Sequence, residues 1–162
     1  MEGIFLLLGS NLGNRTKVLL KAIDSLEKNG IEIVKKSSVY ETAAWGKTDQ
    51  QDFLNQVLQV ETSLDAHELL KLILQIEHDL GRIRKVKWGE RLIDIDILYY
   101  HDSKIKHEDL EIPHAGIPYR RFTLVPMVEI SPDFIHPLYN KTQLELLEIC
   151  EDDLAATLFQ EK

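Results

Sequence analysis

Between positions 93 and 97 the chain alternates Ile93-Asp94-Ile95-Asp96-Ile97, and no other stretch limits the fold as sharply. Successive side chains of a strand point to opposite faces, so the three isoleucines share one face and the two aspartates share the other. The isoleucine face requires an apolar layer against it. The aspartate face is harder to explain, because like charges side by side repel and desolvation adds to the cost. One explanation is an ordinary edge strand with a wet face. The other is a divalent cation between the acids, since Mg²⁺ is usually held by one or two carboxylates plus substrate phosphates. Just upstream lie Arg82, Arg84, Lys85, Lys87 and Arg91 around a Trp88-Gly89 turn, residue types that hold phosphate. On these residues alone the two explanations stand level.

The 162 residues fit one domain, 1–162, with a real core. A net charge of -8 argues against broad nucleic-acid or anionic-membrane binding. The cationic 82–91 segment is a local exception, better matched to a small anionic ligand than to a long polyanion. Cys150 is the single cysteine, so no internal disulfide forms, a reducing compartment is expected, and the residue reads as a small core side chain. The apolar run Ile4–Leu8 is too short to span a bilayer and lacks the features of a secretory signal. A cytoplasmic protein is expected. The six histidines show no His-x₃-His spacing, so zinc is not expected.

In chain order, Gly3–Leu8 reads as a buried strand ended by Gly9-Ser10-Asn11. The stretch Gly9–Arg15 lacks the spacing and lysine of a phosphate loop and reads as a turn. Asn14 can cap a helix over Arg15–Lys28, with Val18, Leu19, Ala22, Ile23 and Leu26 as its apolar stripe and Asn29-Gly30 as its stop. Ile31–Tyr40 reads as a second strand, Glu41–Asp52 as a long loop, and Phe53–Thr62 as a third strand. Phe53 and Asn55 share a face, where an aromatic and an amide can stack on a flat heterocycle and bond its edge. By spacing alone an aromatic core residue beside a strand-end amide is the commoner arrangement.

Asp65-Ala-His-Glu68 opens a helix carrying Leu69, Leu70, Ile73, Ile76 and Leu80, which stops at Gly81. Glu77 sits one turn before that end, facing either solvent or whatever the basic loop binds. The order strand, helix, strand, strand, helix, strand is the ferredoxin-like α+β pattern βαββαβ, with helices on one face of an antiparallel sheet and a C-terminal extension. In the extension, Pro118, Pro126, Pro132 and Pro137 prevent one long helix. Thr142-Gln-Leu-Glu145 caps a late helix holding Leu144 and Leu147. The acidic last ten or so residues read as frayed. His114 follows Pro113 and precedes two arginines, although a surface histidine is the default.

These motifs, in this order, resemble one family: the 6-hydroxymethyl-7,8-dihydropterin pyrophosphokinases of folate biosynthesis. The elements that carry the resemblance are Leu8-Gly-Ser-Asn-Leu-Gly13, Ser38-Val-Tyr-Glu-Thr42, Gln51-Asp-Phe-Leu-Asn55, Glu77, Gly81-Arg82-Ile-Arg84, Trp88-Gly-Glu-Arg91-Leu-Ile-Asp94-Ile-Asp96, Ile112-Pro-His114 and Arg120-Arg-Phe122. The resemblance implies transfer of the diphosphate of ATP to the pterin hydroxymethyl group, with release of AMP. It implies that Asp94 and Asp96 bind two Mg²⁺ ions, and that Arg82 and Arg91 meet the charge on the transferred group. Glu77, Arg84, Lys85, Trp88, Arg91, Ile97, His114 and Arg120 would hold ATP. Thr42, Ala43, Trp45, Phe53, Asn55, Trp88 and Phe122 would hold the pterin. The implied partners are these two small molecules only, with no nucleic acid or membrane, and the expected state is a monomer.

Some positions depart from the family pattern. Ala115 stands where a proline or bulkier residue is usual, and Asp109 and Glu111 replace a basic residue and a threonine found in some members. Ala43–Trp45 changes the pterin loop, and Phe53 often is a tyrosine. Two rival readings use the same residues: a two-metal phosphodiesterase, and a ferredoxin-like module that binds a small ligand without turnover.

Overall fold

The computed structural model describes residues 2–43, 51–81 and 92–160. Strand β1 (Ile4–Ser10) is buried at every position, as its unbroken apolar run requires of a strand covered on both faces. Helix α1 (Arg15–Lys28) starts where Asn14 accepts the Lys17 N–H, and buries Leu19, Ala22, Ile23 and Leu26. Gly30, at φ +85°, makes the left-handed turn that ends it.

The stretch expected to be one strand from Ile31 to Tyr40 is two: β2 (Glu32–Lys36) and β3 (Tyr40–Thr42). Ser37 separates them. Its N–H donates to the Val57 carbonyl at 2.9 Å, while its Oγ accepts the Val57 N–H at 2.9 Å. Gln56 Nε2 donates to the Ser37 carbonyl at 2.8 Å. A side-chain hydroxyl thus replaces one backbone ladder bond, a substitution that apolar alternation does not register. Strand β4 (Phe53–Glu61) pairs with β1 along one edge, and with β2 and then β3 along the other.

Helix α2 (Ala66–Asp79) opens on the expected reciprocal cap between Asp65 and Glu68 and buries Leu69, Ile73 and Ile76. Strand β5 (Asp94–Tyr100) pairs with β1 at the sheet edge. The main sheet among the described residues runs β5-β1-β4-β3, with β2 also on β4 and a late strand, β8 (Thr157–Leu158), beside β3. The α+β, ferredoxin-like βαββαβ order is therefore present. Helices α1 and α2 cover one face, closing a core of Ile4, Leu6, Leu8, Leu26, Ile73 and Ile95.

The C-terminal extension covers the opposite face, so the sheet has helices on both sides. A small hairpin of β6 (Ile105–Lys106) and β7 (Glu111–Ile112) precedes α3 (Arg121–Ile130) and α4 (Gln143–Ile149). Leu124, Met127, Phe134 and Leu146 pack here on Phe5, Leu7, Val57 and Tyr99. Pro126 lies inside α3 rather than breaking it. It sits six residues in, and costs the helix one bond to the Phe122 carbonyl. Helix α4 has the expected Thr142 cap; Leu146 is fully buried and the expected Leu147 packs partly buried on the second cluster, while Leu144 is 43% exposed.

The tail is also ordered further than its acidity implies. Strand β8 (Thr157–Leu158) pairs with β3, and the Phe159 N–H donates to the Val39 carbonyl. Phe159 itself packs on the main core beneath the Arg15 guanidinium. Cys150 is half-buried against the second cluster. Among the described residues, no helix is long and apolar enough to cross a membrane.

Candidate active site

The sheet face away from α1 and α2 carries the polar residues singled out by sequence. The register aligns Asp94, Gly9, Asn55 and Tyr40 as one row across four strands, with Asp96, Leu7 and Val57 in the next row. Thr42 is paired with Phe53 beyond them. The strand alternation therefore brings Asp94 and Asp96 to one side of the face, and Thr42, Phe53 and Asn55 to the other.

Gly9 lies between these two groups for a steric reason. A Cβ at Gly9 would fall 2.8 Å from Asn55 Nδ2. The Asn55 amide lies across that bare backbone and donates to the Leu8 carbonyl at 3.3 Å. Asn55 is 5% exposed and Thr42 4%. Neither Asn55 Oδ1 nor Thr42 Oγ1 has a hydrogen-bond partner within the described protein. A buried polar atom left without a partner costs free energy on the order of 1–3 kcal/mol. Both atoms retain the capacity to accept a further hydrogen bond on this sheet face.

On the other side, Asp94 and Asp96 are half-buried on the edge strand. The residue between them, Ile95, gives its N–H to Glu77 Oε2 at 2.8 Å. Glu77 was open between solvent and the basic loop; the structure buries it at 3% exposure and ties it to β5. Ile97 turns its side chain into the helical core. Among the described residues there is no group of three or more His, Cys, Asp or Glu side chains set to hold a metal. The aspartate pair is a hard-oxygen donor set of the kind that suits Mg²⁺ when a substrate supplies the remaining oxygens.

His114 reaches this side through an irregularity in β5. Leu6 pairs with Ile97 but Phe5 pairs with Tyr99, so Leu98 is an extra residue. The bulge turns both Leu98 and Tyr99 to the second core, and the Leu98 carbonyl accepts the His114 N–H at 3.0 Å. The Ile112–Pro113 peptide leading to it is cis. His114 Nδ1 accepts the Gly116 N–H at 3.0 Å, which leaves Nε2–H as the donor of a neutral ring. Burial pushes the imidazole below its usual range. Asp96 opposes that shift, Arg120 adds to it, and Glu111 opposes it. Arg120 lies against Gly116, where a Cβ would meet the guanidinium at 2.8 Å, and over the Phe122 ring with Cζ 5.7 Å from its centre. A cleft on the helical side, between Lys17, Lys21 and Asp79, touches none of these groups.

Arg82, Arg84, Lys85, Lys87, Trp88, Arg91 and Trp45 lie outside the described residues. Two contributors escaped the sequence reading. Arg15 pairs with Glu41 at 2.8 Å and donates to the Asp52 carbonyl at 2.7 Å, holding the two ends of the 43–52 segment. Glu129 accepts hydrogen bonds from Ser38 and Tyr40. Neither has a sequence signal beyond being a charge on a helix.

Fold and site together define an α+β domain that presents two buried, unpartnered oxygens and a pair of acids on one sheet face. Comparison with known proteins gives the family. The model of 7,8-dihydro-6-hydroxymethylpterin-pyrophosphokinase (HPPK) matches residues 5–132. A 2-amino-4-hydroxy-6-hydroxymethyldihydropteridine pyrophosphokinase of Aquifex aeolicus (strain VF5) is 48% identical over 141 residues, covering 87% of this chain and 88% of that protein. The folic acid synthesis protein FOL1 of Dictyostelium discoideum is 42% identical over 139 residues, which is 86% of this chain but 21% of that longer protein. In fold, the chain resembles the Plasmodium falciparum HPPK-DHPS structure with pterin and p-hydroxybenzoate, at a TM-score of 0.71 and 19% identity. That match covers 90% of this chain and 42% of the solved one. The chain belongs to the 7,8-dihydro-6-hydroxymethylpterin-pyrophosphokinase family.

Proposed function

We propose that this chain transfers the β,γ-diphosphate of ATP to the hydroxymethyl oxygen of 6-hydroxymethyl-7,8-dihydropterin, releasing AMP, on the sheet face just described. One observation carries the assignment of place. Two buried, unpartnered acceptors, Asn55 Oδ1 and Thr42 Oγ1, share a face with Asp94 and Asp96. A pterin edge offers N–H donors to such acceptors, and a site that bonds a heterocycle edge rejects analogues that leave its groups unpaired. Phe53 from the sheet and Phe122 from α3 are the aromatic faces for the ring, with Ala43 following Thr42 at its rim.

The hydroxyl oxygen forms its bond to the β-phosphorus as the bond to the AMP oxygen breaks, and the hydroxyl proton passes to solvent. Such a transfer needs alignment and charge neutralisation more than covalent help. His114, neutral with its proton on Nε2, donates to a phosphate oxygen without adding charge. Arg120, seated flat on Gly116, supplies a charged fork to the same tail. Asp94 and Asp96 are the residues that would hold two Mg²⁺ ions, and Glu77 keeps their strand in place. When bound, Mg²⁺ neutralises phosphate charge and aligns the reacting oxygens. By matching position, Arg82 and Arg91 act on the transferred group, and Arg84, Lys85 and Trp88 line the nucleotide. The backbone of Ile97, whose side chain is in the core, faces the nucleotide. Residues 1–162 act as one domain and as a monomer, and the lone cysteine fits a cytoplasmic setting.

The test is one assay. ATP and the pterin together, with Mg²⁺, yield AMP at the rate the pterin is consumed. ATP loss without AMP, or AMP formed without pterin, overturns the reading.

A further inference from the structure

Glu129 stands in the last turn of α3, where a carboxylate opposes the helix dipole. Its oxygens are nevertheless fully engaged across the domain. Oε1 accepts the Ser38 N–H at 2.9 Å and the Tyr40 hydroxyl at 2.8 Å, and Oε2 accepts the Ser38 hydroxyl at 2.7 Å. Next to it, Lys35 Nζ donates to the Ile130 carbonyl at 3.3 Å. The end of α3 is thus stitched to the chain just before β3.

What these two segments carry gives the contact its meaning. Tyr40 is paired with Asn55, and Thr42, two residues on, is paired with Phe53. The opposite end of α3 carries Phe122 and is entered from Arg120. A ten-residue helix is a rod of about 15 Å. Fixing its far end to β3 therefore fixes where Phe122 stands relative to the amide of Asn55 and the hydroxyl of Thr42. Without the carboxylate, β3 is a three-residue strand between Ser37 and the segment that begins at Ala43, held by β4 and the two-residue β8. Burial and the neighbouring Glu129 carboxylate together push the Tyr40 hydroxyl up to about 12, so it remains a donor throughout the working range.

We propose that Glu129 is a positioning residue for the pterin: by clamping Ser38 and Tyr40 it sets the spacing between the Phe122 ring and the polar edge formed by Asn55 and Thr42. The proposal rests on the pterin lying at that edge. It places specificity for one substrate in a residue that touches neither.

The test measures Michaelis constants for pterin and ATP separately in Glu129→Ala, Glu129→Gln, Tyr40→Phe and Asn55→Ala, with a denaturation midpoint for each. Glu129→Ala raises the pterin constant about tenfold, the value of one lost hydrogen bond of about 1.4 kcal/mol. Its ATP constant stays within about twofold. Glu129→Gln retains Oε1 and can donate to the Ser38 hydroxyl, so it restores the pterin constant to within about threefold of wild type. Tyr40→Phe, which removes one of the three bonds, falls between them. Equal rises for both substrates in Glu129→Ala and Tyr40→Phe, or an unchanged pterin constant in both, overturn the clamp. If Glu129→Ala does not fold, Tyr40→Phe and Glu129→Gln decide by the same criterion. An Asn55→Ala enzyme with normal pterin binding overturns the placement of the ring, and the clamp with it. A raised constant in Asn55→Ala beside unchanged Glu129 variants overturns the clamp alone.

Discussion

Glu77 reaches from the last turn of α2 and accepts the N–H of Ile95 at 2.8 Å, at the residue between Asp94 and Asp96. Strand β5 is at the sheet edge, where backbone donors lack a ladder partner. A buried side chain supplies one. The acids therefore sit on a strand pinned between β1 and α2.

Replacing Glu77 by Leu leaves that amide without its partner. The expected loss of stability is about 1–3 kcal/mol, the penalty for a buried donor left unpaired. Glu77→Gln, which retains an acceptor, loses less. Urea denaturation of the three proteins reads the order directly, and Leu as stable as Glu would refute the account.

Gly9→Ala isolates the Asn55 amide. Its new Cβ would meet the flexible end of Asn55 at 2.8 Å rather than backbone. The amide is displaced while the fold survives. The pterin constant is expected to rise by about fivefold or more and the ATP constant to hold, with a stability change under about 1 kcal/mol. A large loss of stability with normal pterin binding would show the contact to be structural.

Asp96→Asn separates chemistry from folding. If the acids hold Mg²⁺, turnover falls by roughly a thousandfold or more and the Mg²⁺ dependence shifts upward. Removing one of two neighbouring like charges leaves the denaturation midpoint measured in EDTA unchanged or raised. A variant with normal Mg²⁺ dependence removes the metal from the reading.

His136 gives a prediction in pH. Its Nδ1 accepts from the Leu138 and Tyr139 N–H groups, and its ring packs on Tyr99 and Tyr139. Burial pushes its pKa down to about 4 from 6.5. The folded state binds the proton less readily than the unfolded state. The stabilisation is therefore present above pH 6.5 and is lost as pH falls towards 4, amounting to up to about 3 kcal/mol. His114 is shifted in the same direction. Denaturation at pH 7, 5.5 and 4 should show the decline, and His136→Asn should flatten it. A folded-state His136 titrating near 6.5 by NMR would end the argument.

The elements with a single strong period were readable from sequence. Helix α1 has the expected bounds because Asn14, an apolar stripe and Asn29-Gly30 all agree. The Asp65–Glu68 cap and the Ile/Asp strand are likewise local signals. The covering of the second face was not readable. Phe134 and Leu146 come from irregular or short segments, and Pro126 inside α3 hid the helix that carries Phe122. The split at Ser37 and the pairing of Thr157 depend on partners distant in sequence. Asn55 shows the same limit within the site. Its spacing from Phe53 favours a plain core, and only its unpartnered buried oxygen sets it apart from a core amide.

The extra residue at Leu98 has a consequence for how this chain tolerates insertion and deletion. Between Asp96 and Tyr99 the alternation changes phase once, so the acids and Tyr99 point to the same side. Loss of Leu98 would leave Tyr99 opposite Phe5 on a regular strand, but would take one side chain out of the second core and remove the carbonyl that anchors His114. Length drift among descendants of this chain should therefore be absorbed at surface turns such as that after Tyr100, with the spacing from Asp96 to Tyr99 held constant.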